Sequence, residues 1–327
     1  MNRSAPRSID QYLRQLREEL AGADAALIQD ALYDAEEYLR AEVAAHPDKS
    51  ESDVLELIAS TYGAPDEVAA AYRDTEVKVK AAMASPRVVP NSKLGAFFGV
   101  FLDPRAYTSL FFMLLCLATG IIYFVFAITG LSLSAGFAIL IIGVPFFLMF
   151  MAVGRAVSLA EGRLIEAMTG VRMPRRPVYQ GTALSFWARI GEMLKDRRTW
   201  TTIAYFVLML PIGIVYFVIA LTGLAVSLTF IALPIVAALA RVGWFGLGAV
   251  EVFSDAQPEW LLDTGVAIPI FGLAGVLLLT SLMHLARGIG RLHALFAKTM
   301  LVARIAPDAP QAAESAVALS THNAGTH

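Results

Sequence analysis

Asp30, Asp34, Glu36 and Glu37 fall within eight residues of the stretch ALIQDALYDAEEYLR. Clustered carboxylates are the raw material of an oxygen-ligand cation site or of a surface for a basic partner. No histidine or loop oxygen accompanies them, so a solvated helix face is the preferred reading, and the four are kept as the candidate partner surface. A second set of polar residues comes as a pair. DPRAYTSLFF starts at Asp103 and DRRTWTTIAY at Asp196, 93 positions later. Each places an acid, an arginine and an aromatic ring ahead of a long apolar run: Asp103, Arg105 and Tyr107, then Asp196, Arg198 and Trp200. Acids there suit the capping of an entering helix, and the arginines and rings suit the headgroup level of a bilayer.

The remaining chemistry is sparse. GxxxxGK[ST], HExxH, GxSxG and GxGxxG are all missing, which leaves no phosphate cradle, metalloprotease zinc site or nucleophile elbow. No catalytic, cofactor-binding or metal-binding residue is assigned, no cofactor is expected, and the chain is read as a non-enzyme. His284 reads as a packing histidine near the end of its span, and the lone cysteine, Cys116, as a small buried hydrophobe. Pro145, Pro211, Pro234 and Pro269 read as static kinks within membrane helices.

The elements that must carry these residues are mostly apolar. Of 327 residues, 57% are hydrophobic and 17% charged, and the mean hydropathy is +0.61. A membrane protein is the first expectation. Charge is divided: up to Lys80 there are 17 acids against 9 bases, leaving 11 acids against 17 bases in the rest. The N-terminus has no apolar core of signal-peptide type, so its cleavage or export is not expected. Four charge-free runs serve as spans: 107–128, 135–153, 201–221 and 266–283. The first, at about 1.5 Å per residue, covers roughly 33 Å and crosses the hydrocarbon layer.

Residues 224–250 are long enough to span but carry Pro234, Arg241 and several glycines. Nine bases lie from Arg155 to Arg198, and more follow the last span, whereas the loop Glu251 to Asp263 holds four acids and no base. The positive-inside rule keeps the basic parts cytoplasmic. Residues 224–250 are then a partly inserted or interfacial excursion, with four full crossings; five crossings is the rival. Both termini are expected in the cytoplasm. Amphipathic stripes flank the spans: Phe97, Phe98 and Phe101; Val157, Ala160, Leu164 and Met168; Leu184, Trp187, Ile190 and Leu194; and Leu292, Leu295, Phe296 and Thr299.

The N-terminal part reads as four helices closing a small core. Ile9, Tyr12, Leu13, Leu16 and Leu20 share a face behind a capping box at Ser8 and Gln11. Ile28, Leu32, Ala35 and Leu39 form the second stripe, and Val54, Leu57 and Ile58 the third, before Gly63 stops the helix and Pro65 starts another. SIDQYLRQLREEL, DAEEYLRAEV and SDVLELIASTYGAPDEVAAAY resemble the HAAS module, a helical signalling domain, over about residues 8–75. That resemblance implies an accompanying membrane part and, by frequent gene neighbourhood, a PadR-type transcription regulator as partner.

Aligned at the offset of 93, Asp103 to Ser134 and Asp196 to Ser227 share 15 identities in 32 positions. This predicts a parallel internal repeat, one hairpin per copy. The same residues, with GVPFFLMFMAVGRAVSLAEGRLIEAMTGVRMP and LARGIGRLHALFA, resemble the sensor transmembrane domain of bacterial signalling proteins over about residues 95–300. The expected organisation is all-α: a cytosolic HAAS-like domain over 1–83, a linker over 84–94, a sensor-like membrane domain over 95–304 and a disordered tail over 305–327. The function so implied is a membrane sensor or regulator of the bacterial inner membrane, relaying a membrane or small hydrophobic signal through its N-terminal domain. A transporter's accessory or pore-forming subunit is the alternative. Membrane lipids and a cytosolic or membrane protein are the expected partners, direct nucleic-acid binding is not expected, and self-association is compatible with the sequence.

Overall fold

The computed structural model describes residues 5–83, 92–137, 143–177, 191, 195–241 and 267–302. Among them every regular element is helical. Most of the linker 84–94, the tail 305–327, the loop Glu251 to Asp263 and the stripe from Leu184 to Leu194 lie outside the described residues.

The N-terminal module comprises α1 (Ile9–Glu19), α2 (Ala25–Ala45), α3 (Glu51–Ala59) and α4 (Pro65–Met83). Ser8 Oγ accepts from the Gln11 amide at α1's start, Asp24 caps α2 and Ser50 caps α3, each taking up an amide that the first turn leaves unpaired. Gly63, with φ of 103°, turns the chain into α4; there the Glu67 carboxylate accepts from the Ala64 amide. Leu16, Leu20, Leu32, Leu39 and Val54 meet in one core. The third stripe holds at Val54 and Ile58, but its remaining inward residue is Leu55 rather than Leu57, which is 49% exposed.

After α5 (Lys93–Phe98) and a 3-10 turn (Gly99–Leu102) come α6 (Pro104–Phe137), α7 (Gly143–Thr169), α8 (Arg197–Arg241) and α9 (Ala267–Leu301). All four long helices are apolar enough and long enough to cross a membrane. The chain is a multi-pass, all-α membrane protein with a small helical module attached.

The helices outrun the apolar runs that announced them. Residues 129–134 (TGLSLS), between the first two charge-free runs, stay helical within α6: lipid offers no partner to a free amide, and Gly130 lets the Phe150 ring lie directly against the backbone. Residues 224–241 likewise continue α8 rather than forming a separate excursion, and 242–250 lie outside the described residues. At 45 residues, α8 is about 67 Å long, twice the hydrocarbon thickness. Pro211 and Pro234 sit inside it. Pro145 and Pro269 instead occupy the first turns of α7 and α9, where a missing amide costs no hydrogen bond within the helix.

α6 packs most extensively on α8, and α8 in turn on α9. The starts of α6 and α8 meet the ends of α7 and α9. Thr108 Oγ1 donates to the Met168 carbonyl at 2.7 Å, and Thr201 Oγ1 to that of Met300 at 2.9 Å. The hairpins α6–α7 and α8–α9 are therefore each antiparallel pairs. Between them, Gly120 lies against Met209 and Gly213 against Cys116, while Asp103, Ser109 and Phe112 meet Arg287, Gly290 and His293 in the same order. α8 thus runs antiparallel to α6 and α9 parallel to it, so the two hairpins are inverted relative to each other, not parallel as the sequence repeat predicts. The module docks on the stretch after α7 and on the end of α9.

Candidate functional site

Two connected polar assemblies stand out, one inside the bundle and one where the module meets it. The inner one centres on Glu161, fully buried on α7. Its Oε2 accepts from the Tyr123 hydroxyl at 2.7 Å and its Oε1 from Tyr205 at 2.9 Å. The Tyr205 oxygen also lies 3.2 Å from His293 Nε2. His293 is 1% exposed and packs against the Phe112 and Tyr216 rings; its Nδ1 makes no hydrogen bond to a described residue. Residues from α6, α7, α8 and α9 thus converge on one carboxylate. Burying it is tolerable because both oxygens have donors.

The outer assembly begins one turn further along α7. α7 ends at Thr169, Gly170 adopts φ of 70°, and Pro174 keeps the following stretch from resuming a helix. Met173 is pinned in the bundle core beside Ile165 and Tyr205, and its amide donates to Glu166 Oε2 at 3.3 Å. So anchored, the stretch 171–176 offers its amides and arginines to the module. The amides of Arg175 and Arg176 both donate to Asp30 Oδ1 at 2.8 Å, and Arg172 Nη2 donates to Asp30 Oδ2 at 3.1 Å. Arg176 Nε pairs with Asp34 at 2.8 Å, its guanidinium lies over the Tyr33 ring, and its carbonyl accepts from Gln29 Nε2 at 2.6 Å.

Arg172 also reaches Glu76 of α4 and Glu166 of α7, at 3.5 and 3.8 Å. Arg175 Nη2 donates to Glu166 at 2.9 Å. Nearby, Lys298 of α9 holds both oxygens of Asp24, at 2.6 and 2.7 Å. Burial pushes the Asp30 carboxyl above its usual range, against the opposing amides of Arg176 and Arg175 and the charge of Arg172.

The candidate partner surface is divided by this contact. Asp30, buried, and Asp34 face the chain's own arginines rather than solvent. Glu36 turns to Arg40 within α2 at 2.7 Å, its carboxyl raised by burial against the pull of Arg40, and Glu37 is exposed. The repeated motif is placed as two helix starts. Asp103 Oδ1 accepts from the Arg105 amide at 3.0 Å and Asp196 Oδ1 from that of Arg198 at 2.9 Å; Asp103 also pairs with Arg287 at 3.1 Å. Tyr107 and Trp200 are each 50% exposed. The Arg105 guanidinium lies against Gly170, and Arg198 Nε donates to the Leu301 carbonyl at 3.0 Å. Each arginine therefore sits at the closing end of its own hairpin, where a cation complements the helix dipole.

The model of one protein family, described as "Putative sensor", matches residues 112–301, more than half of the chain. The chain belongs to that family. The match covers most of the sensor membrane domain and does not reach the N-terminal module, whose likeness to the HAAS module rests on its residues alone. No curated protein and no solved structure matches the chain.

Within the sensor domain, the residues that sequence reasoning passed over are the inner ones. Glu161 and His293 were hidden because each lies next to an expected apolar stripe. On α7 the buried face carries Ser158, Glu161, Gly162 and Ile165, while Val157, Leu164 and Met168 are only partly buried and Ala160 is exposed. On α9 it carries His293, Ala294 and Ala297, with Leu292 and Leu295 exposed. Glu161 and His293 lie beyond the charge-free runs, in the parts of α7 and α9 that continue past them. One available signal was spacing: Glu161, Ile165 and Thr169 share a face. His284 is a packing residue, stacked on Phe97 with Nε2 at 2.9 Å from that residue's carbonyl oxygen.

Proposed function

We propose that this sensor-family protein is a non-enzymatic regulator of the bacterial cytoplasmic membrane that relays a membrane-derived or small hydrophobic signal to a cytosolic partner. The observation that carries this reading is the grip of residues 171–176 on Asp30. It joins the module to α7, and α7 carries the buried Glu161 assembly in which all four long helices meet. A change in helix packing alters where Glu166 and Met173 hold that stretch, and with it whether the module stays docked. While docked, Asp30 and Asp34 are covered; once released, they join Glu36 and Glu37 as an acidic surface for a basic partner. The likeness to the HAAS module favours a PadR-type regulator as that partner. The module and the basic stretch 171–176 that grips it would face the cytoplasm by the positive-inside rule, with both termini on that side. Residues 103–134 and 196–227 would be two copies of one hairpin start, a reading supported by the matched contacts of Asp103 and Asp196 and of Thr108 and Thr201.

The test uses Asp24→Cys with Lys298→Cys, bridged by a short bis-methanethiosulfonate, which forms two mixed disulfides with loss of methanesulfinate and is cut by a thiol reductant. Cys116, the native cysteine, is buried and spared. Partners co-purified from the host should be lost when the bridge forms and return when it is cut. An unchanged partner list refutes the relay. The transporter reading keeps one supporting observation, the ionisable groups inside the bundle; solute flux through liposomes holding the purified protein would favour it.

A further inference from the structure

Beside the docking contact lies an open cleft of about 580 Å³, walled by Arg105 and Thr108 of α6, Arg163 and Glu166 of α7, and Gly170 and Arg175 beyond it. Three guanidinium groups face one carboxylate. Arg175 already serves Glu166, whereas the guanidinium groups of Arg105 and Arg163 make no ion pair with a described residue. Asp103, the nearest acid in sequence to Arg105, is engaged by Arg287 and by the first turn of α6. Gly170 shapes the wall: a methyl group there would lie 2.7 Å from Arg105 Cζ, so only a bare backbone lets that guanidinium lie where it does. The half-exposed Tyr107 ring, two residues from Arg105, suits the bilayer interface, where anionic headgroups are found.

We propose that this cleft binds a phosphate-bearing anion. Arg105 and Arg163 supply charge-assisted hydrogen bonds in the planar fork geometry that suits phosphate oxygens, and the volume suits a headgroup-sized ligand. The anion competes with Glu166 for Arg175. Since Glu166 also receives the Met173 amide and the approach of Arg172, drawing Arg175 away loosens the stretch that grips Asp30. This coupling rests on the relay proposed above, and it names the chemistry of its signal. The same phosphate chemistry is presented by an anionic phospholipid headgroup and by a soluble phosphate ester.

The full-length protein in detergent, read by native mass spectrometry, separates these sources. Bound phosphatidylglycerol in preference to phosphatidylcholine identifies the bilayer as the source, and binding of glycerol phosphate without lipid identifies a soluble one. The double variant Arg105→Gln, Arg163→Gln should weaken whichever anion binds by roughly thirtyfold. The double lysine variant, which keeps the charge, should recover part of that loss. No preference for either anion in the wild type overturns the site, as does equal binding by wild type and the glutamine variant. Coupling is read separately, by the bridging rate of the Asp24→Cys, Lys298→Cys pair. Anion binding should slow bridging; binding that leaves the rate unchanged overturns the competition for Arg175. A failure of the relay itself shows differently, as a partner list indifferent to the bridge.

Discussion

Gly120 and Gly213 occupy reciprocal places in one helix crossing. A methyl group on Gly120 would lie 2.5 Å from the carbonyl oxygen of Met209, and one on Gly213 would lie 2.3 Å from that of Cys116. Both pairs of positions, 120 with 213 and 116 with 209, are 93 apart in sequence. α6 and α8 therefore approach backbone to backbone, which only a missing side chain allows in a membrane bundle. Gly120→Ala and Gly213→Ala should each destabilise the bundle by about 1–3 kcal/mol, the usual range for overpacking. Gly136→Ala, which meets nothing within 4 Å, is the control and should not destabilise. Thermal unfolding in detergent ranks the three; equal midpoints would remove the crossing from the account.

The buried carboxylate gives a second expectation. Tyr205→Phe strips Glu161 Oε1 and His293 Nε2 of the same hydroxyl, whereas Tyr123→Phe affects Glu161 Oε2 alone. A buried polar atom left without its partner costs about 1–3 kcal/mol, more when charged. Tyr205→Phe should therefore be the more destabilising. In Glu161→Gln the two tyrosine variants should cost less, because glutamine keeps one acceptor oxygen where Glu161 offers two. Double-mutant cycles on thermal stability measure both effects.

At the docking contact, Asp30→Leu removes the acceptor for two amides and for Arg172. Breaking one partner of a buried ionic group costs about 3–5 kcal/mol. The module's own core does not depend on this residue, so its helices should persist while the contact opens. Hydrogen exchange should rise at the amides of Arg175 and Arg176 and stay low in α1 and in the buried part of α2. Faster exchange throughout the module would mean that Asp30 serves folding rather than docking.

Alkaline pH should loosen the module. Burial, aided by the charge of Asp34 and the neighbouring Tyr38, pushes the Tyr62 phenol from 10.0 up to about 12. Burial acts likewise on Tyr12, which donates to the Gly63 carbonyl, and on Tyr72, which donates to Asp34. Below pH 10 these phenols stay neutral whether the module is folded or not, so their contribution is complete. Above it the unfolded chain ionises first, and stability falls as pH rises toward about 12. Circular dichroism of the protein across that window should show the loss, and Tyr62→Phe should move its midpoint upward.

The sequence made some of this legible and hid the rest for a physical reason. In the water-exposed module, apolar spacing marks what is inside, and Leu13, Leu16, Leu32 and Leu39 are buried where the helical period puts them. The four long helices were legible too, because uncharged runs of that length have few other uses. What was not legible was which face of each membrane helix turns inward. Lipid makes large apolar side chains comfortable outside, so periodicity pointed to Leu292 and Leu164 while the bundle closed over His293 and Glu161. The grip on Asp30 was equally hidden, since it joins residues about 145 positions apart and an acid on a helix face reads as solvated until its arginines are seen.

That inversion supplies a last test on α9. Leu292 and Leu295 are 67% and 55% exposed, while Ala294 and Ala297 are fully buried against a core that includes Tyr205 and Leu301. If the exposed face meets lipid tails, trimming it to alanine loses little, because the tails are as apolar as leucine and refill the space. Leu292→Ala and Leu295→Ala should then change bundle stability by no more than about 0.5 kcal/mol. Ala294→Leu and Ala297→Leu should lower it by about 1–3 kcal/mol, since the added carbons have no room between α9 and its neighbours. The helix period of a water-soluble protein predicts the reverse order. Unfolding midpoints of the four variants in lipid nanodiscs decide between the two, and a loss confined to the leucine sites would put Leu292 inside the protein and His293 on its surface.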